Sequence, residues 1–149
     1  MTNELLQTLH KVADSYIPVL GFCSLLSLVF YSRFSFAKPK EVGTRVMLLV
    51  VLVFMVYALL VLDRKFGIWP SFGRLDYSTH TALSLALVMF LAFHHKKYQE
   101  LLVGSFVLYV PLILFQKYSS VADVAVTGIV IGGACFGILK MAERTPSQT

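Results

Sequence analysis

The chain has 149 residues, enough for one domain, and 57% of them are hydrophobic against only 14% charged; its mean hydropathy is +0.75. Soluble domains run at about 45–50% apolar and about 25% charged, so the composition excludes a water-soluble globular domain and implies an integral membrane protein. The net charge of +5 falls in short clusters between apolar runs, a pattern of membrane topology and headgroup contact rather than of a nucleic-acid surface.

Residues 1–16 place Leu5, Leu6, Leu9, Val12, Ala13 and Tyr16 at helical spacing, with Glu4, Gln7, Lys11 and Asp14 between them. This predicts an amphipathic helix too polar to cross a bilayer, lying at the interface or on the bundle; the alternative is a partly ordered leader. With Glu4 and Asp14 in this segment no cleavable signal peptide is visible, and the first span is expected to serve as the insertion signal. Residues 17–32 form the first apolar run, with Pro18 in its first turn, where a missing N–H costs little. A basic loop follows, holding Arg33, Lys38, Lys40 and Arg45 against a single Glu41, with Pro39 and Gly43 as helix breakers.

Residues 46–62 carry no charge and are the clearest span. The connection from Asp63 to Asp76 is long for so small a protein and contains Arg64, Lys65 and Arg74. The third span is placed at 77–93. Counted from Thr81 alone it is short for a hydrocarbon core about 30 Å thick, at about 1.5 Å per residue, so Ser78 and His80 are drawn to the membrane boundary. His94, His95, Lys96 and Lys97 form the next turn. Adjacent histidines point in different directions on a helix and suit one metal poorly, so this reads as a basic interfacial turn and no metal is expected.

Residues 101–115 give the fourth span, kinked by Pro111. The fifth, 121–139, opens with Asp123 and carries Gly128, Gly132, Gly133 and Gly137. Their small-xxx-small spacing serves packing inside the monomer or self-association. Residues 140–149 are a polar tail. Cys23 and Cys135 lie in apolar runs with no CxxC spacing and read as packing residues. The expected fold is therefore all-α: an amphipathic interfacial helix and a domain, 17–139, of five transmembrane helices.

Five spans put the two termini on opposite sides. Arg33, Lys38, Lys40, Arg45, Lys96, Lys97, Lys140 and Arg144 share one side; Lys11, Arg64, Lys65, Arg74 and Lys117 share the other. The positive-inside tendency makes the first side cytoplasmic, which gives a plasma (inner) membrane protein with its N-terminus outside and its C-terminus in the cytoplasm. Independently of orientation, Arg64, Lys65, Arg74, Asp76, Ser78, His80, Lys117, Ser119 and Asp123 fall on one face. Cations, a hydroxyl and an imidazole at a helix N-terminus suit a phosphate, because the N–H groups and the dipole favour an anion and arginine grips phosphate oxygens bidentately.

The order of these groups resembles the type-2 phosphatidic acid phosphatase family, which includes lipid phosphotransferases and carries three motifs: Lys-x6-Arg-Pro, Pro-Ser-Gly-His and Ser-Arg-x5-His-x3-Asp. Ser78-Thr79-His80-Thr81 is similar to the second motif, with Tyr77 and Thr79 in place of proline and glycine. Lys65 and Arg74 resemble the first, with a longer gap and no following proline. Asp123, opening an apolar glycine-bearing helix, resembles the end of the third. The resemblance covers roughly residues 46–139 and implies that His80 protonates a leaving group, that Arg64, Lys65, Arg74, Ser78 and Lys117 hold phosphate, and that Asp123 orients a partner. The family's nucleophilic histidine would fall on Ser119, and its Ser-Arg pair on Leu112 and Ile113; without that histidine the family's covalent step should not run.

Two functions follow as expectations. One is a lipid-phosphatase-like core that binds, and hydrolyses or transfers, the phosphate of a lipid or isoprenoid headgroup, with His80, Asp123 and Ser119 as the catalytic set. The other is a non-catalytic scaffold or accessory subunit packing through the glycine-rich fifth helix, with the polar cluster as a hydrogen-bonded network. A weaker third is a metal or ion pathway using His80, Asp76 and Asp123, or His94 and His95. No cofactor is implied. The expected partners are a membrane lipid or lipid phosphate, a second copy or a partner membrane subunit, and no nucleic acid.

Overall fold

The computed structural model describes residues 3–34, 39–71, 73 and 75–144. These form six α-helices: α1 (Asn3–Phe34), α2 (Pro39–Phe66), α3 (Ile68–Ser71), α4 (Thr79–His94), α5 (Gln99–Phe115) and α6 (Val121–Arg144), with one 3-10 turn at Lys96–Tyr98. Four segments within them are long and apolar enough to cross a membrane: Gln7–Arg33, Pro39–Phe66, Lys96–Phe115 and Val121–Arg144.

The arrangement is set by α4. It has only 16 residues, about 24 Å at 1.5 Å per residue, less than the thickness of a hydrocarbon core. It has no exposed residue along its length, because α1, α2, α5 and α6 all pack against it. Its composition explains why. Ala82, Ser84, Ala86 and Ala92 are all buried, and small side chains on several faces let surrounding backbones approach closely. Leu87, Val88, Phe90 and Leu91 fill the spaces between.

The outer helices bury only narrow stripes. In α1 the buried residues are Ala13, Leu20, Ser24 and Leu28; in α6 they are Asp123, Val124, Thr127, Ile131, Cys135 and Leu139, a run with helical periodicity. Their other faces are apolar and open: Phe54 is 72% exposed, Ile129 76% and Leu108 77%. A surface of this kind has a suitable solvent only in lipid. The structure is thus an all-helical membrane protein.

Three expectations are corrected here. The N-terminal helix and the first span, expected as separate elements, are one 32-residue helix, α1, running through Pro18. The first half of α1 packs on α5: Tyr16 stacks on Tyr109 with ring centroids 4.0 Å apart, its hydroxyl lies 2.9 Å from that of Ser105, and Gln116 Nε2 donates to the Leu9 carbonyl at 2.7 Å. The basic loop after α1 is shorter than expected, because Pro39 opens α2 and Lys40 and Arg45 lie on its first turns; Lys38 lies outside the described residues. The Arg45 guanidinium sits 3.3 Å over the Tyr31 ring, and Tyr31 donates to Glu41 at 2.8 Å, which ties α1 to α2 there. The connection from Asp63 is not a continuous loop either. Helix α2 continues to Phe66, and α3 follows after Gly67, whose φ of +60° is a backbone state glycine adopts readily. Asp63 Oδ1 accepts the Trp69 backbone N–H at 2.7 Å.

Candidate functional site

The predicted cluster assembles at the end of the bundle where α4 and α6 begin. Ser78 is the N-cap of α4, as expected for a serine before an apolar helix. Its Oγ lies 2.8 Å from Thr81 Oγ1 and accepts the Thr81 backbone N–H at 3.4 Å. Ser119 donates its hydroxyl proton to the same oxygen at 2.7 Å, and the Ser78 backbone N–H donates to Thr127 of α6 at 3.3 Å. Ser78, Thr81 and Thr127 are all buried, so the network is satisfied within itself, as groups at that depth require.

Asp123 is the second fastening. Its Oδ1 accepts the Asp76 backbone N–H at 2.8 Å, and its Oδ2 accepts that of Ser120 at 2.8 Å. Ser120 Oγ in return accepts the Asp123 N–H at 3.2 Å. Ser120 and Asp123 thus form a reciprocal capping box at the start of α6, and the spare carboxylate oxygen anchors the segment 75–78 leading into α4. The Ser-x-x-Asp spacing is visible in the sequence. The part played by Thr127 has no comparable sequence signal.

His80 does not reach Asp123. Its ring stacks on Tyr118, centroids 4.7 Å apart and planes 5° apart, and Tyr118 donates its phenol proton to Asp14 of α1 at 2.8 Å. That hydrogen bond is the main reason the Tyr118 phenol is held above its ordinary value of 10. The turn that presents Tyr118 is built at Lys117. Lys117 N–H bonds to the Leu114 carbonyl and Tyr118 N–H to that of Ile113, and Lys117 has a φ of +57°. This is a Schellman ending to α5, with lysine at the position glycine usually fills.

The expected phosphate ligands are not drawn together to the same degree. Arg64 and Lys65 are exposed at the end of α2, and Lys117 is exposed on its turn. Among the described residues none of them forms an ion pair or a hydrogen bond to the cluster. Arg74 lies outside the described residues. The clefts of 330–390 Å³ beside α1, between α1, α2 and α4, and between α5 and α6 are lined by residues other than Ser78, His80, Ser119 and Asp123.

Known proteins add nothing to this geometry. No family model, curated protein or solved structure matches the chain.

The chemistry available to the cluster is therefore narrow. A serine nucleophile needs a base to take its proton, and the Ser119 proton goes to another neutral hydroxyl. Asp123 spends one oxygen on each of two backbone donors. The groups expected to carry the weaker ion pathway and metal readings have partners of their own: His94 Nδ1 lies 2.9 Å from the Phe90 carbonyl, and His95 Nε2 lies 2.6 Å from Ser27 Oγ. Among the described residues no group of three His, Cys, Asp or Glu side chains is placed to hold a metal. Cys135 is fully buried and Cys23 is exposed; Cys135 packs in the core against α4, and Cys23 faces outward. Of the α6 glycines, among the described residues only Gly132 meets a neighbour, with Leu85 Cδ2 3.6 Å from where a Cβ would stand; Gly128, Gly133 and Gly137 face open space.

Proposed function

We propose that this chain is a non-catalytic membrane protein, an accessory or scaffold subunit, in which the polar cluster of a phosphatase-like core fastens α4 to α6 instead of turning over a phosphoester. The single observation that carries this reading is the use made of Asp123: both carboxylate oxygens accept backbone N–H groups, from Asp76 and Ser120. Its carboxylate makes no contact with His80. In this reading α4 is an enclosed fifth span, the cytoplasm lies on the side of Arg33, Lys96, Lys97 and Lys140, and the open face at Gly133 and Gly137 is available to a partner helix.

A second reading, binding of a lipid phosphate at the same end, is favoured by the Ser119–Ser78 hydrogen bond. That bond brings together the two stretches that resemble the phosphatase family's second and third motifs, beside the exposed Lys117. One experiment separates the readings. Phosphate release and equilibrium binding are measured in mixed micelles with phosphatidate, an isoprenoid pyrophosphate and a sphingoid phosphate. The scaffold reading expects no release above the level of the His80→Ala variant and no binding sensitive to Lys117→Gln. Binding without release, lost in Lys117→Gln, would establish the second reading. Release that disappears in His80→Ala would overturn the claim that the chain is non-catalytic.

A further inference from the structure

The opposite end of the bundle contains a groove that the polar cluster does not explain. Helices α5 and α6 both pack on α4 but stand apart from each other, and a cleft of about 330 Å³ lies between them with α4 as its floor. Val88 and Met89 of α4 form its base, and Phe106 and Phe136 stand on its two walls. Phe136 is 59% exposed, so the cleft opens sideways, towards the space a bilayer occupies.

Its rim is polar. Lys96, Gln99, Lys140 and Glu143 line the end nearest the α4–α5 turn. Both ammonium groups lean back over rings of the groove: Lys96 Nζ is 5.2 Å from the Phe93 centroid, and Lys140 Nζ is 5.4 Å from that of Phe136. Among the described residues neither lysine forms an ion pair, Glu143 included. Two cations thus flank the mouth of an apolar slot, at the helix ends rather than along the apolar run.

We infer that this groove is a binding site for an anionic phospholipid, with one acyl chain lying between α5 and α6 and the headgroup held between Lys96 and Lys140. Two arguments select this occupant. A void facing lipid forfeits dispersion contacts along its lining, and a hydrocarbon tail, as apolar as the leucines around it, restores them. The two unpaired lysines match an anionic headgroup and would leave a zwitterionic one with weaker net attraction. The inference is independent of the function proposed above, since the groove and the polar cluster are at opposite ends of α4.

The test uses the full chain in detergent micelles, with phosphatidylglycerol and phosphatidylcholine of matched acyl chains as probes, and bound lipid counted by native mass spectrometry. Phosphatidylglycerol is expected to be retained preferentially. Each lysine should account for about a five-fold preference, the scale of one basic residue beside an anionic surface. The double variant Lys96→Gln, Lys140→Gln should lose the preference while still retaining lipid. Val103→Trp, on the groove wall, should reduce retention of both lipids with the helical circular dichroism unchanged. Equal retention of the two lipids by the wild type, a preference that survives in the double variant, or a second copy of the chain cross-linking across Lys96 and Lys140 in place of lipid would each overturn the inference.

Discussion

Replacing Asp123 tests whether the polar cluster is a fastening or a reaction centre. The carboxylate accepts two backbone N–H groups, each at 2.8 Å, and hydrogen bonds to an ionised acceptor are worth about 1.5–3 kcal/mol each. Asp76 and Ser120 are exposed residues, so their freed N–H groups recover water and the lower end of that range applies to each. Loss of an anion from the first turn of α6 adds about 0.5 kcal/mol. Asp123→Ala is therefore expected to cost about 3.5 kcal/mol. Asp123→Asn keeps the shape but sets an NH2 against one of the two donors, for a cost of about 1.5–2 kcal/mol. Ser120→Ala removes the reciprocal half of the capping box and should cost about 1 kcal/mol. Because the two residues share one hydrogen-bonded unit, the double variant should cost less than the sum, by about 0.5–1 kcal/mol. Reversible unfolding in mixed micelles with increasing SDS supplies these values. If both Asp123 variants stay within about 0.5 kcal/mol of wild type, below any single effect expected here, the structural assignment of this carboxylate is wrong.

Other outcomes follow from the same geometry. Tyr77 donates to the Val56 carbonyl at 2.9 Å in a buried position, so Tyr77→Phe should cost about 1 kcal/mol, whereas Ser84→Ala should change SDS unfolding by no more than about 0.5 kcal/mol because the Ser84 hydroxyl bonds only to carbonyls of its own helix. Ala82 and Ala86 are 0% and 1% exposed. Leucine at either place is expected to destabilise the bundle by about 1–3 kcal/mol or more in the same titration, while Gly137→Leu, with nothing within 4 Å, should leave the monomer's stability unchanged and alter only any association seen by cross-linking. Lys117→Gly should be neutral or stabilise by up to about 1 kcal/mol, because glycine accepts a φ of +57° without strain; destabilisation would show that the lysine side chain has a structural partner of its own. Ultraviolet titration should find Tyr118 ionising above 10, and Asp14→Ala should bring it back down, since the Asp14 hydrogen bond is the leading cause of the shift. A raised folded-state value means that this contact contributes fully at neutral pH and is lost only as pH climbs through the phenol's own value in strong alkali. An unshifted Tyr118 in wild type would remove the contact from the account.

The amino-acid sequence by itself determined that the chain belongs in a membrane, where its main apolar helices lie, and that Ser78, Ser119 and Asp123 lie at one end. Those facts are properties of composition and of local periodicity. Runs such as 46–62 cannot be solvated by water, and a serine ahead of an apolar run caps a helix wherever it is placed, as Ser78 and Ser120 do. Alternating helices also put 78–80 and 119–123 on a common face without reference to any contact. Tertiary structure alone decided what those residues do there. Where the first half of α1 packs depends on Tyr109, Ser105 and Gln116, which are remote in sequence. Whether α4 is one span among equals or the enclosed centre depends on four other helices finding its alanines. Whether the Asp123 carboxylate faces an imidazole or two backbone N–H groups depends on the path of residues 75–78. Pattern reads one helix at a time, whereas the partners of a buried polar group come from several helices and are fixed only when they pack.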